Sequence, residues 1–186
     1  MPATFKTLLL TVTFIFSIQQ FAMSAISEEL QKSIDKVLPD LKKLSSDPQI
    51  VTTVKNHNVT PPSEAIEMTN ETWKTLTILS AVVKSFTTSE IGKYIKSIKS
   101  DYISEMFINT SNGNKVTFLS KTTSWNHSGN PKHDMPMKGK MWIGEREFDE
   151  SSGEEQIQIG LPVLDGKTPV GSIIIGLSIT KLKALK

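Results

Sequence analysis

Apolar positions recur at helical spacing through the first half of the chain and at alternate positions through the second. In "SEELQKSIDKVLPDLKKL" (27–44), Leu30, Ile34, Val37, Leu38, Leu41 and Leu44 fall on one helical face with charges between them. Ser27 is placed to cap that helix, and Glu28 and Glu29 suit its positive end. Pro39 is expected to kink or split it. Asp47-Pro48 reads as a cap followed by a first-turn proline, opening a second helix through "PQIVTTVKNHN". After the break at Thr60-Pro61-Pro62, "SEAIEMTNETWKTLTIL" predicts a third helix packing through Ile66, Trp73, Leu76 and Leu79. "TSEIGKYIKSIKSD" (88–101) predicts a fourth, capped by Thr88 or Ser89.

From Tyr102 the period changes to two. "YISEMFIN" and "KVTFLSKT" are strand-like runs joined by "TSNGN", where Asn112-Gly113 is a strong hairpin signal. "KMWIGEREF" and "EQIQIGLPV" form a second pair across "DESSGE". Ile157, Ile159, Leu161 and Val163 alternate with Gln156, Gln158 and Gly160, so one face is buried and the other is wet or faces a pocket. "VGSIIIGLSI" is apolar almost throughout, as a central strand covered on both faces would be. Asp165-Gly166 turns the chain between these last two strands. Helices followed by five antiparallel strands, over 104–180, make an α+β domain. The long "SWNHSGNPKHDMPMKG" (124–139) between the second and third strands reads as a functional loop.

The ends and the composition set the compartment. Lys6, the apolar run "LLLTVTFIFSI" (8–18) and small residues at Ala22, Ser24 and Ala25 read as a secretory signal peptide over 1–25. Residues 26–186 are then one exported domain, periplasmic and without stable membrane insertion after cleavage. The chain has no cysteine and so makes no use of the disulfides that an oxidising compartment permits. With 21 basic and 19 acidic residues and no Lys/Arg-rich block, nothing favours a nucleic acid partner.

The order of the pieces resembles a family. "DPQI" opening a helix, "ETW" in the next, "SEMFINTSNGNKV" as first strand and turn, and "IQIGLPVLDGKTPVGSIIIGLSI" as the final hairpin resemble the Cache, or PAS-like extracytoplasmic sensor, domains of bacteria. The most specific of these is the Pro-Val-x-x-Asp-Gly-x-x-Pro-Val-Gly hairpin. The resemblance implies a PAS-like five-stranded antiparallel sheet preceded by a long N-terminal helix and further helices. It also implies a small-molecule pocket on one face of the sheet. In membrane-bound members the last strand leads into a transmembrane helix; a chain ending at Lys186 is expected to be a stand-alone member. Its expected partners are a small organic ligand and a membrane receptor or sensor kinase. Amino-acid-binding members carry an acidic residue on the final strand, where this chain has Gly176, and their arginine-bearing aromatic motif is not evident. That disfavours a free amino acid.

No nucleophile motif, phosphate loop or zinc-protease helix is present, so catalysis is not expected, nor is any cofactor. A ligand pocket needs aromatic walls and a few converging polar groups. Trp125, His127, Asp134, Trp142, Glu145 and Asp149, on the long loop and the strand after it, are the candidate ligand-binding residues. The alternative is a copper or other metal site in the His/Met-rich stretch 127–141, using His127, His133, Met135 and Met137. On a strand, Met135 and Met137 would put both sulfurs on one side.

Overall fold

The structure, a computed structural model, describes residues 26–149 and 153–185. The expected signal peptide lies outside the described residues. Among the described residues, no helix is long and apolar enough to cross a membrane.

Six helices precede the sheet. α1 (Glu28–Ser45) starts on Ser27, whose hydroxyl accepts from the Leu30 amide, and it buries Leu30, Ile34, Val37 and Leu41. Pro39 sits inside this helix without dividing it. α2 (Pro48–Val59) is capped by Asp47, which accepts from the amides of Gln49 and Ile50. The expected third helix is two short ones, α3 (Ser63–Ile66) and α4 (Asn70–Thr75), because Thr69 caps the second afresh. Only Trp73 of the four residues expected to pack there is fully buried; Ile66 and Leu79 are exposed. α5 (Ala81–Thr88), not anticipated, is followed by α6 (Glu90–Ser97), which Ser89 caps by accepting from the Gly92 amide.

The sheet follows as β1 (Ile103–Thr110), β2 (Lys115–Phe118), β3 (Trp142–Asp149), β4 (Glu154–Asp165) and β5 (Thr168–Ser178), all antiparallel, in the order β2-β1-β5-β4-β3. This is the α+β class with a PAS-like sheet. Gly113 and Gly166, in the two expected hairpin turns, have φ of 87° and 62°, which glycine adopts without penalty. Alternation divides the core between the two faces. Met106, Ile108, Ile157, Ile159, Ile173, Ile175 and Leu177 pack with residues of α1, α2 and α6. Phe107, Phe118 and Ile174 pack on the other face with Trp73, Phe86 and Trp125.

The segment 124–139 is not wholly loop. Asn130 and Pro131 open α7 (Pro131–Met137), and the Asn130 side chain accepts from the Lys132 amide. The helix closes on Gly139, with φ of 72° and its amide on the Pro136 carbonyl. Met135 and Met137 are therefore helical, not paired on one side of a strand. α7 lies directly on the sheet: a Cβ at Gly160 would come within 2.5 Å of the Lys132 carbonyl oxygen. A last short helix, α8 (Ile179–Lys183), ends the described chain.

Candidate functional site

Where α7 and the segment before it leave the sheet uncovered, the second face opens into a cavity of about 560 Å³. Its walls come from β1 (Glu105, Phe107), β4 (Gln156, Gln158), the end of β3 (Glu147, Phe148, Asp149) and the segment from Lys121 through His127 to Lys132. Strand alternation explains the β1 and β4 contributions. Glu105 and Phe107 point away from Met106, and Gln156 and Gln158 away from Ile157. Glu105 and Gln158 come together because both pair with Gly176 of β5 between them, and Gly176 has no side chain to hold them apart.

The polar groups form bridges. Gln158 donates from Nε2 to Glu105 Oε2 at 2.7 Å and accepts from Lys132 Nζ at 3.1 Å on its Oε1. One amide thus stands between a cation and a carboxylate. Gln156 repeats the pattern, accepting from Ser104 Oγ at 2.7 Å and donating to Glu147 Oε1 at 3.1 Å. Beneath the cavity, Lys115 is buried at 1% exposure. Its Nζ donates to Asn109 Oδ1 at 2.9 Å, lies 2.7 Å from His127 Nδ1 and sits 3.9 Å from the centre of the Phe107 ring. Where Lys115 donates to it, His127 accepts at Nδ1 and carries its proton on Nε2.

Burial first, then the charges of Lys115, Lys132 and His133, pushes the pKa of His127 down from 6.5 to about 2. The unfolded chain takes that proton at the ordinary value and the folded chain refuses it. The stabilisation from a neutral His127 is therefore complete above about pH 6.5 and lost as pH falls, at up to ~1.4 kcal/mol per pH unit. His57 and His133, both lowered mainly by burial, act with the same sign. Glu105, raised mainly by burial against Lys132 and Gln158, acts oppositely: its contribution is present below the ordinary carboxylate range and lost as pH rises through its raised value. Thermal melts are expected to fall from pH 7 to pH 5. His127→Asn, which keeps an acceptor for Lys115, should flatten that fall, and an unchanged slope would contradict the assignment.

Two of the six candidate residues, His127 and Asp149, lie on the cavity. Trp125 is fully buried in the aromatic core, 5.3 Å from Trp73 and 5.1 Å from Phe86 between ring centres. Trp142 is half-buried at the start of β3 and folds over Gly144, where a Cβ would come 2.7 Å from its ring. Asp134 accepts from the Gly129 amide at 3.1 Å and so braces the entry to α7. Glu145 is exposed on β3 and does not line the cavity. Glu105, Phe107, Lys132, Gln156 and Gln158 were missed; only the alternation of Gln156 and Gln158 with buried isoleucines pointed to them.

The metal alternative gains no donor set. Among the described residues, no group of three or more His, Cys, Asp or Glu is placed to hold a metal ion. His127 is tied to Lys115, and His133 Nδ1 lies 2.7 Å from Ser172 Oγ. A groove of about 580 Å³ beside α2 and the start of α6 is more open to solvent and includes no residue of the sheet.

No protein-family model matches the chain, and no curated protein matches it. Solved structures do resemble it. The E. coli DcuS sensor domain is 10% identical over 85% of this chain and 97% of that one, at a TM-score of 0.47. The V. cholerae histidine kinase DctB sensor domain is 12% identical, at a TM-score of 0.39 over 83% of this chain. The ligand-binding domain of the Pseudomonas fluorescens chemoreceptor CtaA, in complex with L-serine, is 14% identical, at 0.41 over 82%. The chain spans only 56% and 57% of the length of the DctB and CtaA domains. All three likenesses are distant, with TM-scores below 0.5 and identities of 10–14%.

Proposed function

We propose that the chain is a sensor-type domain that binds a small organic molecule in the cavity over β1, β5 and β4 and has no catalytic role. The observation that carries this is the cavity itself. It is large enough for a metabolite, and polar groups from three strands and α7 converge on it. On this reading residues 1–25 are a signal peptide, 26–186 are one periplasmic domain, and occupancy is passed to a membrane receptor or sensor kinase. His127 and Asp149 keep their place in the ligand site, joined by Glu105, Lys132 and Gln158. The placement of the reactive groups supports the non-catalytic reading. Ser172 and His133 sit within hydrogen-bond distance, yet both are buried and neither lines the cavity.

Native mass spectrometry of protein purified from its own host tests the location and the binding together. The expected mass begins after Ser24 or Ala25 and carries a small-molecule adduct that gentle activation releases. A mass that still includes Met1 contradicts the export reading. Adduct-free protein that also fails to gain thermal stability from any member of a metabolite library contradicts the binding reading, since ligand at about a hundred times Kd adds ~2.7 kcal/mol.

A further inference from the structure

The turn between α4 and α5, residues 76–80, displays two aliphatic side chains to solvent. Ile78 and Leu79 at its tip are 68% and 71% exposed, whereas Val83 and Phe86 just beyond are buried in the second core. The turn is closed twice. The Ser80 amide donates to the Thr77 carbonyl at 3.1 Å, and the Thr77 amide donates to Ser80 Oγ at 3.1 Å. A fixed backbone therefore presents the pair, and little conformational freedom remains to be lost on contact. Ile78 also walls a shallow cleft of about 240 Å³ with Leu119, Lys96 and Lys121. Lys96 Nζ donates to the Thr87 carbonyl at 2.9 Å, and Lys121 Nζ stands 4.7 Å from the centre of the Trp73 ring. Lys74 in α4 and Lys84 in α5 are exposed on the helices that flank the turn. Among the described residues, none of these four lysines has a carboxylate within 4.0 Å. The sequence accounts for this, since 72–89 and 106–133 contain no Asp or Glu.

We propose that this turn docks the domain on an anionic lipid bilayer. Ile78 and Leu79 enter the boundary between headgroups and acyl chains, while Lys96 and Lys121, with Lys74 and Lys84 on the flanking helices, meet the lipid phosphates. A bilayer fits this surface better than a protein does. Two side chains fall far short of the ~800 Å² that each partner of a stable protein interface buries, but a small apolar tip ringed by cations suits shallow, reversible lipid contact. The docking does not depend on what fills the cavity.

Because the chain has no cysteine, a single introduced one can report the contact. Leu79→Cys and Val59→Cys, in protein purified from its own host, are each labelled with the polarity-sensitive dye nitrobenzoxadiazole. Val59 is the control: it is 84% exposed at the end of α2, where its neighbour Asn58 accepts from the Ser111 amide. Both are titrated with vesicles of phosphatidylcholine alone or mixed equally with phosphatidylglycerol. The Leu79 label is expected to brighten and shift to the blue on the anionic vesicles only, and to lose that response at about 0.5 M salt, where charges are screened within a few ångströms. The Val59 label should not respond. Unlabelled Lys84→Gln/Lys96→Gln, altered only at exposed positions, should melt like the parent and float with anionic vesicles about tenfold more weakly. Any contribution of the N-terminus is common to all variants. A Leu79 label that ignores both vesicles, answers both equally or moves together with Val59 would overturn the proposal. Undiminished flotation of Ile78→Ser/Leu79→Ser would overturn it too, as would a Leu79 response to soluble polyglutamate that vesicles fail to produce, which would point to an acidic protein partner.

Discussion

Ile159→Asp is expected to abolish the cooperative thermal transition near physiological temperature. Ile159 is fully buried in the middle of β4, paired with Ile175 on one side and Ile143 on the other. Its side chain faces the helices, among Ile157, Leu161 and Ile175. A carboxylate placed there meets no donor and must either stay charged in an apolar medium or take up a proton. Either costs more than about 4 kcal/mol, set against a total of about 5–15 kcal/mol for a domain. Ile159→Val is the matched control, because it removes one methyl group and should cost only about 0.5–1.5 kcal/mol. Circular dichroism melts distinguish them: a native-like transition in Ile159→Asp would mean that β4 does not run through the core.

Trp73→Ala should have the next largest effect, on the opposite face of the sheet. Trp73 is fully buried and packs edge-on to Phe118 at 5.5 Å and Phe86 at 6.5 Å between ring centres. Its indole N–H donates to the Thr122 carbonyl at 2.7 Å, which ties α4 to the segment leaving β2. The same helix holds that segment a second time, since Asn70 Oδ1 accepts from the amides of Trp125 and Asn126. Truncation loses the packing, opens a cavity and strands an acceptor, together about 3–5 kcal/mol. Trp73→Phe should recover much of the packing but not the hydrogen bond. Denaturant titrations in which Trp73→Ala matches the parent midpoint would contradict this account of the second core.

Caps and hairpins could be read from the chain because their causes are local. Ser27, Asp47 and Ser89 each accept from an amide two or three residues on, and Asn112-Gly113 and Asp165-Gly166 supply turns that their strands need. Spacing misled between Ser63 and Leu79. Ile66, Ile78 and Leu79 are apolar yet 66–71% exposed, so the period there does not report a buried face. α7 had local signals, Asn130-Pro131 at its start and Gly139 at its end, but they lay inside a stretch whose length suggested a loop. The site was the least legible part. Its members sit on β1, β4, the end of β3 and α7, and the order β1-β5-β4 brings Glu105 beside Gln158 across 53 residues of sequence. Tryptophans drew attention to side chains that do not line this cavity, because a ring that fills a core and a ring that walls a pocket look alike in sequence. The signal that did exist was the alternation in β4, where two glutamines face away from a row of isoleucines.

The central claim is that a small molecule occupies the cavity over β1, β5 and β4. A crystal structure of the protein grown with its best-stabilising metabolite tests it most directly. The account predicts ligand density in contact with Phe107, Lys132 and Gln158, with Trp125 and Trp142 outside the contact shell. Density confined to the groove beside α2 and α6, with the cavity above Phe107 filled only by water, would contradict it.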